Sequence, residues 1–407
     1  MRTVVFCATF AAVVLPSIAG AQSLSLTESE ALARLSVDSP RVRAIRAGIE
    51  VARVEVLEAG RWPNPRVTFN REAVAGITEN MVMFGQLLPI TGRRGLEVDA
   101  ATAMVAATSS RSDDEIRRLR ADVRLAFADL VAAQTREREL TAALGRVREL
   151  ASVLGRREAA GDAAGFDRLR VEREALEIDA DRAAAGVDRV RAQGMLASFF
   201  ADVPDPSRLM AVDVSTPPLP PPPLNALIER AETIRGDFLA LRKEIDAAQF
   251  ARSAADRRMI PEPEIVAGTK SSTANGGDRG SVVMIHASIP LFDRAGPEHA
   301  LADAKRAQAE ARLSAFRITV RGQITAQRAV VLERRTAADQ YRAGAIPSAD
   351  QIERIAQVSY DAGERGILEL LDAYRSVGIA RIRQASLDAA VRQAEIELEF
   401  VSGWEMP

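Results

Sequence analysis

Two stretches of this chain, about two hundred residues apart, follow one plan. Val82 to Arg93 reads VMFGQLLPITGR and Val283 to Arg294 reads VMIHASIPLFDR, which places Pro89 and Pro290 201 positions apart. WPNP (Trp62 to Pro65) has its counterpart in IPEP (Ile260 to Pro263). Further on, Phe166-Asp167-Arg168-Leu169 lines up with Leu368-Glu369-Leu370-Leu371 at an offset of 202, with Gly161 and Gly363 just ahead of them. One matched proline is coincidence, but three landmarks in the same order at nearly one spacing indicate a tandem duplication. Whatever fold one half adopts, the other half must adopt a version of it and pack beside it.

Each half reads as helix, hairpin, helix, helix. Thr27 followed by Glu30 has capping-box spacing and opens a helical pattern that runs to Ala59 with a break at Pro40. After WPNP, Arg66 to Val74 and Asn80 to Leu88 are extended segments with Gly76 in their connection, the pattern of a β-hairpin. Beyond Pro89 and TGRR (Thr91 to Arg94), a proline-free helical pattern runs from about Gly95 to Ala160, on the order of 100 Å of helix. Leu140, Leu144, Val147, Ala151 and Leu154 form a coiled-coil seam in it, as do Ile116, Leu119, Val123, Phe127 and Leu130. Gly161 to Gly165 breaks the pattern before a second helix from Phe166 to Phe200, so a long helical hairpin is predicted. Asp202 to Pro223 ends in a proline run and reads as an extended linker. The expected division is a leader over 1–21, a first repeat over 22–200, the linker over 201–223 and a second repeat over 224–407. In the second repeat one helix is expected from Leu224 to Met259, a β-hairpin over about 264–290 and long helices over about 295–403.

The leader is read from Arg2, the apolar run Val4 to Ile18 and the small residues Ala19-Gly20-Ala21, with a cut between Ala21 and Gln22. The only cysteine, Cys7, falls inside it, which excludes a disulfide in the mature chain. Lys plus Arg, 54, nearly balances Asp plus Glu, 56, and this removes the electrostatic footing for nucleic acid. His286 and His299 lack the cysteine or i, i+4 partner that a metal site requires, and there is no phosphate loop or nucleophile triad, so no metal, no cofactor and no enzymatic activity are expected.

Strands of about nine residues have the length of a tilted membrane strand. Four of them cannot close a barrel, and an open edge in hydrocarbon leaves backbone groups unsatisfied at several kcal/mol each. If the strands are membranous, other copies of the chain must complete the barrel, and three copies supply twelve strands. On that condition the fold class is mainly α, long antiparallel helical hairpins with a small membrane β-barrel portion. Val67, Phe69, Val82, Phe84 and Leu88 alternate as a lipid face requires, but Met81, Met83 and Leu87 fill the other register. The alternative is a soluble or peripheral coiled-coil adaptor or scaffold in the periplasm, without channel activity.

The duplicated order, and the second helical turn YDAGERGILELLDA (Tyr360 to Ala373), resemble the TolC family of outer-membrane efflux proteins over essentially the whole mature chain. TGRR is similar to the branch that serves heavy-metal and other cation exporters. The resemblance implies an outer-membrane homotrimer, a twelve-stranded barrel continued by a trimeric tunnel of helical hairpins that extends into the periplasm. There it would meet a periplasmic adaptor (a membrane fusion protein) and an inner-membrane pump. It also implies a periplasmic gate at Asp167, Tyr360 and Arg365, and an acidic ring in the tunnel throat at Glu369 and Asp372. Arg93 and Arg94 sit at a helix start, where positive charge opposes the helix dipole; contact with lipid phosphates at a membrane boundary is one reading of them and an ordinary helix-end role is the other.

Overall fold

In the computed structural model, residues 24–36, 38–160, 165–203, 205–213 and 220–404 are described. The leader with its Ala21 and Gln22 cut site, and Gly161, lie outside them. The first half contains β1 (Leu24–Leu26), α1 (Glu28–Ala33), α2 (Pro40–Ala59), β2 (Arg66–Val74), β3 (Ile77–Leu87), α3 (Arg93–Ala159) and α4 (Gly165–Ala197). After β4 (Leu209–Ala211) the second half repeats the plan with α5 (Leu224–Ile234), α6 (Gly236–Arg257), β5 (Pro263–Ser272), β6 (Asp278–Ala287), α7 (Gly296–Asp361) and α8 (Ile367–Ser402). α3 and α7, of 67 and 66 residues, are each on the order of 100 Å long.

Local chemistry sets the boundaries. Thr27 accepts from the Glu30 amide while Glu30 accepts from the Thr27 amide, a complete capping box, and α2 begins with Pro40 in its first turn. Ala75 and Gly76 both take positive φ, 50° and 81°, so a two-residue turn pairs Val74 directly with Ile77. That tight turn starts β3 three residues before the expected Asn80. Gly92, at φ 77°, swings the chain from the sheet into α3.

Two expectations need correction. The stretch Leu224 to Met259 is two helices, because Gly236 lies so close to α3 that a Cβ there would fall inside the Ser110 carbonyl oxygen. The chain turns extended at Arg235, whose side chain is 6% exposed and pairs with Asp237 at 3.1 Å. The segment after Phe200 is not uniformly extended linker either. Leu209–Ala211 forms a parallel ladder with β1, and the Gln134 side chain accepts from the Ala211 amide at 2.8 Å and donates to its carbonyl at 3.2 Å.

Near the sheet, packed neighbours run in the order α2, α3, α6, α7; toward the far helical turns they run α4, α3, α8, α7. The cores are long and narrow. Leu26, Val123, Phe127, Leu130, Leu196 and Leu209 fill one, with the predicted second seam at its centre, while Val147, Leu150, Leu154, Val171, Ile367 and Leu370 fill another nearer the turns. α1 is held across the first core by charge: Glu28 accepts from Arg124 and from Arg392, each at 2.6 Å, and Arg124 also pairs with Glu399, 2% exposed.

Gly236→Ala should force α6 off α3 and cost about 1–3 kcal/mol. Gly145→Ala, in α3 with nothing within 4 Å of its added methyl, should gain about 0.5–1 kcal/mol; denaturant unfolding of the two variants measures the contrast. A second outcome concerns pH. Burial pushes the Glu28 carboxyl up, but Arg392 and Arg124 outweigh it and hold the group below its ordinary 4.5. A depressed carboxylate stabilises the fold above the unfolded value and loses that contribution as pH falls through the folded one. Glu28→Gln should therefore lower Tm at pH 7, with the deficit against wild type shrinking below pH 4.5.

Candidate pore-lining faces and hairpin tips

The four-stranded sheet has the order β2, β3, β5, β6, antiparallel throughout, with β2 and β6 as unpaired edges. Side chains directly opposite across the ladder share a face. On one face Val67, Phe84, Ala267 and Val283 stand in a row, and Phe69, Val82, Thr269 and Ser281 form the next. This face is apolar and open, with Val67 at 71%, Phe69 at 65% and Val283 at 73% exposure.

The opposite face carries Thr68, Met83, Gly268 and Val282, then Asn70, Met81, Lys270 and Gly280, then Glu72, Glu79, Ser272 and Asp278. It also carries Glu264 beside His286, so all four carboxylates of the sheet lie on this side. Met81 and Met83, which confuse the register in sequence, are thus inner-face residues. Met83 sits against the bare Gly268 and is buried, and Lys270 reaches Glu79 at 2.6 Å. Below the sheet, Arg93 is spoken for by Glu97 at 3.0 Å and Glu262 at 3.2 Å. Arg94 donates to the Gly60 carbonyl at 2.8 Å and stacks over Trp62. Both arginines tie the helix start to its surroundings.

At the far end, α7 closes in a Schellman turn. Gly363 takes φ 74°, its amide donates to the Tyr360 carbonyl, and the Glu364 amide donates to that of Ser359. Arg365 and Glu369 are exposed on this turn and the first turn of α8, and Asp372 follows one turn on. Asp167 stands half-buried in the first turn of α4. Of the gate candidates, Tyr360 alone has a partner from the other hairpin: Arg157 of α3 lies over its ring at 5.6 Å and donates to its hydroxyl at 3.4 Å. Within one chain, and among the described residues, Asp167 and Arg365 form no ion pair.

Sequence reasoning also missed a contact that bridges the hairpins. α4 and α8 both pack on α3 and barely meet, which leaves between them a groove of about 900 Å³ lined by Leu169, Arg173, Tyr374 and Ile379. Arg375 of α8 spans it and holds Glu174 of α4 through both carboxylate oxygens, with Nε at 3.0 Å. Only spacing could have flagged the pair, since 174 and 375 stand 201 apart in a repeat of that length. Tyr374 beside it donates to Gln357 at 2.6 Å, and burial pushes its phenol up. Arg375→Gln or Glu174→Gln should free α4 from α8 and speed amide exchange over 165–175 by about two- to fivefold. The exchanged pair Glu174→Arg with Arg375→Glu should return the rate toward wild type.

Residues 227–403 match the family described as outer membrane efflux protein. The chain is 23% identical over 358 residues to the cobalt-zinc-cadmium resistance protein CzcC of Cupriavidus metallidurans, spanning 86% of this chain and 83% of that one. Its fold is similar to that of a membrane protein from Pseudomonas aeruginosa, with a TM-score of 0.75, 21% identity and coverage of 92% and 93% of the two chains. It is also similar to the open state of the MtrE outer membrane channel of Neisseria gonorrhoeae, with a TM-score of 0.70, 17% identity and coverage of 93% and 88%.

Proposed function

We propose that this chain, a member of the TolC family of outer-membrane efflux proteins, is the passive exit channel of a tripartite efflux system. It sits in the outer membrane with its helical tunnel reaching into the periplasm. The observation that carries this reading is the sheet. It has one apolar face and one polar face that bears every carboxylate, and its two edges are unpaired. In lipid such a sheet must be closed by further copies, and three copies give a twelve-stranded barrel with an aqueous interior.

The helices support the same assembly. Phe166, Leu169, Leu176, Val187 and Val190 fall on one heptad seam of α4 and are all more than half exposed. α7, at the other end of the helix order, exposes Leu301 and Ile318 in the half near the sheet and Ile352, Ile355 and Val358 in the half near the turns, and α2 exposes Val51, Val54 and Leu57 near the sheet. Joining α7 of one copy to α2 of the next near the sheet, and to α4 of the next near the turns, would bury these stripes. A free-standing adaptor or scaffold has no use for the apolar sheet face.

The open tips would meet a periplasmic adaptor, and an inner-membrane pump would supply energy and choose the cargo. The relative from Cupriavidus metallidurans is named for cobalt, zinc and cadmium resistance, and metal cations or drugs are the cargo classes proposed here. The chain itself conducts and catalyses nothing. In the closed gate Asp167 would meet Arg365 of a neighbouring copy beside Tyr360, with Glu369 and Asp372 forming acidic rings in the throat. Because such pairs contribute about 1 kcal/mol or less each, adaptor binding would suffice to open them.

Membrane fractionation and size measurement in detergent should find a trimer in the outer membrane, and a periplasmic monomer would sink the reading. In planar bilayers, Asp167→Ala with Arg365→Ala should raise single-channel conductance severalfold; unchanged conductance would remove those residues from the gate.

A further inference from the structure

The apolar face of the sheet ends in a row of a different kind. Arg71 pairs with Asn80, Asn80 with Ser271, and Ser271 with Arg279, so these four residues stand at one height across all four strands. By strand alternation they share the face of Val67, Phe69, Val283 and Ile285. Arg71 and Arg279 are its only charged residues, and no carboxylate accompanies them. Glu72, Glu79, Glu264 and Asp278 all stand on the opposite face. Both arginines are exposed. Among the described residues neither forms an ion pair.

Rows on one face follow each other at about 7 Å along the strand. Below the arginine row come Phe69 with Val82, then Val67 with Phe84 and Val283, then Ile265 with Ile285. Toward the helices Ile289, Leu291 and Phe292 continue the apolar surface at 72%, 63% and 99% exposure. On the other side of the arginine row this face has only Ala73 and Thr78 before the turns at 75–76 and 273–277. The row therefore marks the outward limit of the apolar band. Arg71 lies on the edge strand β2 and Arg279 on the edge strand β6, so closing the barrel with further copies brings one arginine of each kind to every junction between subunits.

We propose that Arg71 and Arg279 form a belt that binds the phosphate groups of the phosphorylated glycolipid in the outer leaflet, two guanidinium groups at each subunit junction. The proposal rests on the outer-membrane reading above. Guanidinium is the cation suited to this task, because it stays charged and its donor fork matches phosphate oxygens two at a time. A carboxylate on the same face would compete for it, and the sheet keeps every carboxylate on the other side of the wall.

The test uses the full chain purified as an oligomer from outer membranes, with bacterial lipopolysaccharide as the probe. Arg71→Ser and Arg279→Ser should each lower the lipopolysaccharide retained per oligomer by about fivefold. Arg71→Lys, which keeps the charge but not the fork, should fall between wild type and Arg71→Ser, and Arg66→Ser, on the inner face of β2, should lose none. Lipopolysaccharide stripped of its phosphates should bind the wild type as weakly as it binds the double serine variant. Unchanged retention in that double variant would overturn the belt, as would an equal loss in Arg66→Ser. Displacement of the lipid by millimolar inorganic phosphate would show a site for free phosphate and overturn the lipid assignment. Absence of the wild type from the outer membrane would instead sink the channel reading, and the belt with it.

Discussion

A backbone amide in hydrocarbon has no water to turn to, and the sheet of this protein leaves two edges of such groups open. Everything else in the chain is arranged around that deficit. The sheet cannot curl onto itself with four strands, so its completion must come from copies, and copies related by an axis along the tunnel keep equal heights. The long helices inherit this requirement. Their inward seams bury Leu, Val and Ala within one chain, while a second set of apolar stripes on α2, α4 and α7 stays open along the sides. A single chain is in this sense a sector of a tube, folded along two of its faces and unfinished on the others.

Duplication explains how one sequence solves the geometry twice. Each hairpin of strands is followed at once by a helix of nearly equal length, 67 and 66 residues, and the two long helices end within one residue of the repeat spacing. The copies then diverge in what they attach. The first carries α1, strapped down by Glu28 between Arg124 and Arg392, while the second bends at Arg235 so that Gly236 can press against α3.

Much of the architecture was legible because its signals are local. The capping box at Thr27, the proline at the start of α2, the heptads of α3 and the glycine-marked turns all act within a few residues. The register of the sheet was not legible, since Met81 and Met83 are as apolar as the residues of the open face, and only the pairing of Met83 with Gly268 and of Met81 with Lys270 puts them on the face that bears the carboxylates. The break at Arg235 was invisible for a similar reason: its cause is the carbonyl of Ser110, more than a hundred residues away. The partners of Arg93 and Arg94 were not legible, since Glu262 and the Gly60 carbonyl are brought to them only by the fold. At the tips, Tyr360 could be picked out by its resemblance to a gate, but its actual neighbour Arg157 depends on how the two hairpins lean together.

The turn at Ala75 and Gly76 is two residues long, and its counterpart at 273–277 is five. A barrel finished this way stands almost flush with its membrane and carries no plume of loops into the medium. An antibody or a phage tail fibre approaching from outside would find a rim of strand ends and a hole, with little that could be gripped or varied by mutation. The same brevity ties the outer rim to the wall, so mutations tolerated in the long surface loops of other barrels would here disturb the pore itself.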